Sequence, residues 1–154
     1  LVLLVKKICE LIESGADFET VVEKAELYSR HTHVVFALSS FNNLVKNGRM
    51  SKIVGFVANK LGFWGIGIGS EQGTIEIKQK IRGSKKALDA IIEDMKERGY
   101  NCGKVVISHC RNAEFAESVK SAIQSVWDKA EVKIVHARGL CSYYAEKGGL
   151  IIGF

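Results

Sequence analysis

Leu1, Leu4, Ile8, Leu11 and Ile12 recur every three or four positions, with Lys6, Lys7, Glu10 and Glu13 opposite, which predicts an amphipathic helix over residues 1–13 stopped by Gly15. Asp17 is placed to cap a second helix over 18–30 that carries Val21, Val22, Ala25 and Leu27 or Tyr28. The run from His33 to Leu38 reads as a short buried strand. Residues 39–47 form one or two helical turns closed at Asn47-Gly48 by a left-handed cap. Ser51 then opens a helix over 52–61 whose apolar residues Ile53, Val54, Phe56, Val57, Ala58 and Leu61 do not fit one narrow stripe. A helix greasy around most of its circumference is covered on more than one side, so it lies deep in a core or lines an apolar cavity.

Residues 63–69 and 74–81 read as a hairpin with its turn at Ser70–Gly73. In the second strand Ile75, Ile77 and Ile81 are expected on one face, with Glu76, Lys78 and Lys80 on the other. Ser84 caps a helix reaching Arg98, with Leu88, Ile91, Ile92 and Met95 inward. The strand at 104–108, a helix capped by Asn112 with Phe115, Val119, Ala122, Ile123 and Val126, and the strand at 131–136 predict a parallel pair with a right-handed crossover. A short helical segment near Cys141–Lys147 and a last apolar strand, 150–154, complete a layered α/β domain with a mixed β-sheet packed by helices.

With 154 residues, 47% hydrophobic and 25% charged, the chain has the composition of one globular unit, 1–154, and is neither disordered nor fibrous. No apolar run is long enough to span a membrane, and the opening Leu1–Val5, with no basic region before it, is not expected to be a signal peptide. The chain begins at Leu1 and is expected to be one domain of something longer. Cys9, Cys102, Cys110 and Cys141 form no close pair and read as reduced thiols of a cytoplasmic protein. The net charge of +5 is uneven: basic and acidic residues number 8 and 8 up to residue 77, then 14 and 9. Lys78, Lys80, Arg82, Lys85 and Lys86 hold much of the excess, a solvated face or a surface for phosphate or an acidic partner.

Gly65-Ile-Gly-Ile-Gly69 lacks the spacing of a dinucleotide fingerprint, because Ser70 stands where a glycine is needed and no helix follows. These glycines instead mark a strand that another backbone or a ligand approaches closely. His31, His33, His109 and His136 do not combine with the cysteines at zinc spacings. Cysteine catalysis through Cys110 or Cys141 is one alternative function, and nucleic-acid binding through residues 78–86 is another; neither has an accompanying base, oxyanion hole or aromatic platform. Two segments carry more information. Leu44–Ser51 presents Arg49 between a glycine turn and a helix start, where a guanidinium can meet an anion or cap the preceding carbonyls. Gly139–Gly149 is a polar and aromatic loop between apolar strands.

Leu44-Val-Lys-Asn-Gly-Arg-Met-Ser51 resembles the L-x-x-G-G-R-I-S segment of the DegV family, bacterial fatty-acid-binding proteins that include the B-type subunits of fatty acid kinase. The lead-in from Ala16 to Leu38, the stretch Gln79–Leu88, Ile107-Ser-His109 and the tail Gly148–Phe154 agree in order, so the resemblance covers essentially the whole chain. It implies the C-terminal domain of a two-domain DegV-like protein whose N-terminal α/β domain precedes this one, with the fatty acid between them. Arg49 matches the family arginine near the head group. The family tail often reads G-x-H-x-G-P-G; its histidine falls here on Tyr144 and its Gly-Pro-Gly on Glu146-Lys-Gly148. The phenol of Tyr144, or Ser142 nearby, then stands in for the histidine at the carboxylate.

On this resemblance the over-greasy helix gains a reason, and Ile53, Phe56, Val57 and Leu61 with Phe36 and Leu44 become the walls of an acyl channel. The expected function is a lipid-binding module with no catalysis and no cofactor. It would hold a long-chain fatty acid and present its carboxylate to the fatty acid kinase catalytic subunit, with no nucleic acid and no membrane span involved.

Overall fold

The computed structural model describes residues 1–49, 63–69 and 75–154. Its elements are α1 (Val2–Glu13), α2 (Phe18–Arg30), β1 (Val34–Leu38), α3 (Asn42–Lys46), β2 (Phe63–Gly69), β3 (Ile75–Arg82), α4 (Ser84–Glu97), β4 (Lys104–His109), α5 (Ala113–Val126), β5 (Glu131–His136), α6 (Gly139–Ala145) and β6 (Leu150–Gly153). The six strands form one sheet in the order β3-β2-β1-β6-β4-β5. Only β4 and β5 run parallel among these neighbours, as expected for a β-α-β unit; the other pairings are antiparallel. The expected layered α/β architecture with a mixed sheet is the one found. The expected helix over 52–61 and the hairpin turn at Ser70–Gly73 lie outside the described residues.

Alternation along the strands divides the sheet into two apolar faces. Val35, Ala37, Ile66, Ile107, Leu150 and Ile152 meet Ala87, Ile91 and Met95 of α4 and Phe115, Val119 and Ile123 of α5 in the main core. Phe36, Leu38 and Ile151 point the other way, toward Phe41, Leu44, Tyr144 and Ala145. This second cluster is small and carries the candidate site.

Several sequence expectations are corrected in detail. In α1 the buried residues are Leu3 and Leu11, eight apart and so on one side of the helix, while Leu1 and Ile12 are exposed. The helix thus turns Leu3 onto the sheet, where it sits close to Gly153. Asp17 does cap α2, accepting from the Thr20 amide at 2.8 Å. That helix packs on α1 as an outer layer, so none of its residues is fully buried and Leu27 is exposed. Gly83 holds the N-cap position of α4, with Ser84 already helical and no side-chain cap bond. Val126, the last residue of α5, is exposed.

The strand β3 shows the most instructive difference. Ile66 pairs with Gln79 but Gly67 pairs with Ile77, so Lys78 is the extra residue of a β-bulge. Beyond it the side-chain alternation reverses. Ile75 and Ile77 join the small cluster while Ile81 packs against the main core, not on the same face. The bulged Lys78 Nζ meets Asp94 at 2.9 Å and Glu97 at 3.1 Å. Asp94, 3% exposed, also takes Arg98 Nε at 2.8 Å, so this buried carboxylate has two cations. These bonds hold the Lys78 ammonium above its ordinary pKa.

Candidate functional site

Five elements enclose an apolar pocket of about 180 Å³ on the second face of the sheet. Phe36 and Leu38 from β1, Ile75 from β3 and Ile151 from β6 form its floor; Leu44 from α3 and Leu140, Cys141, Tyr144 and Ala145 from α6 form its sides. The glycines of β2 explain how α3 comes so near the sheet. A Cβ on Gly65 would stand 2.2 Å from the Phe41 ring, and one on Gly67 would stand 2.6 Å from the Glu76 carbonyl oxygen. The expected close approach to this strand is therefore made by the Phe41 ring and by the β3 backbone. Leu44 and Phe41 are fully buried beneath α3.

The polar rim is built where α3 ends and α6 passes it. Gly48 adopts the expected left-handed conformation, φ +67°, which turns the chain so that Arg49 lies against α6. Arg49 Nε donates to Tyr144 Oη at 3.2 Å, and its guanidinium carbon lies 5.5 Å from the centre of that ring. The Asn43 side-chain amide donates to the Tyr143 carbonyl at 2.8 Å, and that of Asn47 to the Tyr143 hydroxyl at 2.9 Å. Arg49, Tyr144, Phe36 and Leu44 are thus brought together, the cationic end beside the apolar pocket. Ile53, Phe56, Val57 and Leu61 lie outside the described residues.

Glu146 is the residue that sequence reasoning missed. Its carboxylate accepts from Ser40 Oγ at 2.6 Å and from the Asn43 amide, at the start of α3, at 2.7 Å. The residue itself sits at φ +53°, ψ 178°, a backbone region left almost entirely to glycine. On the resemblance drawn from the sequence, the first glycine of the G-P-G tail motif would fall at this position. The chain keeps the glycine-like backbone there and uses the longer side chain to fasten α3 to the loop after α6.

Ser142 is not part of the pocket. Its hydroxyl donates to the Gly139 carbonyl at 2.8 Å, and the residue lines a separate cleft of about 500 Å³ on the other side of α6. His109, Arg111, His136 and Lys147 line the same cleft. His109 is 3% exposed, its Nδ1 accepting from the Asn112 amide at 3.1 Å. Burial, and then the neighbouring His136, hold its imidazole below the ordinary pKa.

Cys110 is half-buried in the small cluster with its thiol 3.8 Å from the Ser142 carbonyl, while Cys141 is exposed. Among the described residues neither forms a hydrogen bond to an imidazole, so the geometry does not favour a cysteine nucleophile. Among those residues no cluster of His, Cys, Asp and Glu could hold a metal ion, and no helix is long and apolar enough to cross a membrane.

Comparison with known proteins places this arrangement. The chain is 43% identical over 152 residues to a DegV domain-containing protein of Streptococcus pyogenes serotype M1, covering 99% of this chain and 54% of that protein. It is similar in structure to the Streptococcus pneumoniae fatty acid kinase (Fak) B3 protein loaded with linoleic acid, with a TM-score of 0.95, 41% identity, and coverage of 99% of this chain and 54% of the other. A DegV family protein of Eubacterium eligens loaded with heptadecanoic acid gives a TM-score of 0.95 at 36% identity, covering 98% of this chain and 55% of that one. The chain thus spans about half the length of the relatives it matches. The DegV family model matches residues 1–154, and on that match along its full length the chain belongs to the DegV family.

Proposed function

We propose that this chain holds part of a long-chain fatty acid, with hydrocarbon in the pocket between β1, α3 and α6 and the carboxylate at the Arg49–Tyr144 rim. The observation that carries this reading is the pocket itself: an apolar slot lined by Tyr144, whose phenol hydroxyl meets the Arg49 guanidinium. Solved relatives that share this fold hold linoleic and heptadecanoic acid. Each methylene moved from water into the slot contributes about 0.8 kcal/mol, so the tail supplies affinity and the rim supplies orientation. At about 180 Å³ the slot is smaller than a typical ligand cavity of roughly 300–1,000 Å³. It therefore takes a portion of the acyl chain, the remainder being covered by other parts of the protein.

In this reading the domain works in the cytoplasm as a binding subunit without a cofactor, and performs no chemistry. It presents the carboxylate to a separate kinase subunit. Support for that step comes from the similarity to the relative from Streptococcus pneumoniae, a fatty acid kinase protein. The binding claim is tested by delipidating the full-length protein, analysing the extract by mass spectrometry, and re-adding palmitic or oleic acid. A stoichiometric long-chain fatty acid and a rise in Tm on re-addition are expected. An extract without fatty acid, together with an unchanged Tm, would overturn the reading.

A further inference from the structure

The cleft on the far side of α6 is built differently from the apolar slot, and it has a chemistry of its own. It lies where the parallel strands β4 and β5 end together: His109 and His136 are register partners, and their rings are 4.6 Å apart. The carboxyl ends of parallel strands are where open α/β sheets generally receive ligands. Arg111 and Lys147 flank the two imidazoles from separate loops, both exposed, and neither forms an ion pair among the described residues. No carboxylate is among the residues lining the cleft.

The least exposed member is also the best oriented. The Asn112 amide donates to Nδ1 of His109, so the neutral imidazole carries its proton on Nε2. That nitrogen has no partner among the described residues, yet it is not sealed from solvent. It is the donor His109 has to offer to the cleft. Asn112 itself gives its side-chain amide to the Gly148 carbonyl at 2.8 Å and does not cap α5. The 14-residue α5 starts directly after it.

We propose that this cleft is a phosphoryl-group subsite, in which His109 Nε2–H, the Arg111 guanidinium, the Lys147 ammonium and the His136 ring surround a phosphate dianion. A guanidinium, an ammonium and a fixed imidazole donor suit the several peripheral oxygens of a tetrahedral anion. The cleft volume of about 500 Å³ leaves room for the phosphoryl group to be carried by a larger molecule. One helix, α6, separates this subsite from the apolar slot.

Inorganic phosphate is titrated into the full chain while the ring Cε1–Hε1 resonances of His109 and His136 are followed by NMR, with sodium chloride at matched ionic strength as the control. Saturable shifts of both rings with phosphate and not with chloride are expected. Arg111→Gln and Lys147→Gln, both at exposed positions, should each weaken binding by about tenfold. A second arm with ATP separates sources: tighter binding than phosphate marks a nucleotide as carrier, and equal binding marks free phosphate. Linear shifts, equal shifts with chloride, or affinities unchanged in both variants would overturn the proposal. The probes carry no acyl chain, so this outcome is separate from whether the apolar slot holds a fatty acid.

Discussion

Replacing Glu146 tests whether one side chain fastens the two halves of the rim. Its carboxylate accepts from Ser40 Oγ at 2.6 Å and the Asn43 amide at 2.7 Å, while its backbone is held at φ +53°, ψ 178°. Hydrogen bonds to a charged group contribute about 1.5–3 kcal/mol, at the lower end where water has access, as it does at this half-buried residue. The unfavourable backbone costs about 1–3 kcal/mol. Glu146→Ala removes the bonds and keeps the strain, so a loss of about 2–3 kcal/mol is expected. Glu146→Gly removes the bonds and the strain together, so it should be more stable than the alanine variant by about 1 kcal/mol, although it is the smaller residue. Urea unfolding with m held common gives both values. An alanine variant within about 0.5 kcal/mol of the parent, or a glycine variant less stable than the alanine one, would refute the reasoning.

Other perturbations probe the packing, the titration and the slot. Gly65→Ala must move the Phe41 ring from 2.2 Å to ordinary contact, and an overpacked site of this kind costs about 1–3 kcal/mol; adding Phe41→Leu should recover part of the loss, and strictly additive urea midpoints would contradict the stacking. Burial holds His109 and His33 below the ordinary imidazole pKa, aided by His136 and by Arg98 respectively. The fold therefore favours their neutral forms, and this stability is present above about pH 6.5 and lost as pH falls through the lower folded values. Urea midpoints at pH 7.5 and pH 5 should show the drop, smaller in His33→Gln, and a midpoint that rises on acidification would contradict it. Leu140 lines the slot yet is 67% exposed, so Leu140→Glu should leave the fold intact and weaken fatty-acid binding by at least about tenfold, since an ionised carboxylate beside buried hydrocarbon is costly. Unchanged affinity in calorimetry would place the acyl chain elsewhere.

Features set by local chemistry were legible in the chain. Asp17 caps α2, Gly48 turns left-handed before Arg49, and the Gly65–Gly69 run marks a strand under close approach. What escaped was set by partners far away in sequence. At the bulge the Lys78 ammonium meets Asp94 and Glu97 on α4, and no period-2 pattern shows an inserted residue. Ile81 consequently reverses face. Glu146 reaches an amide 103 positions earlier, which neither helix propensity nor turn chemistry could indicate. Ser142 and Tyr144, two residues apart on one short helix, point into different cavities because successive pairs on a helix diverge. A signal for Glu146 was available in one respect: a non-glycine residue at the family's glycine position needs a compensating contact.

The central claim is that hydrocarbon lies in the slot between β1, α3 and α6. Loading the protein with uniformly ¹³C-labelled palmitate and recording isotope-filtered NOEs tests it most directly. Cross-peaks from acyl methylenes to the methyl groups of Leu44, Ile75 and Ile151 are predicted, with the carboxyl end of the chain nearest Tyr144. Methylene NOEs confined to the groove beside Val2, Leu4 and Val135, with none to Leu44 or Ile151, would contradict the account.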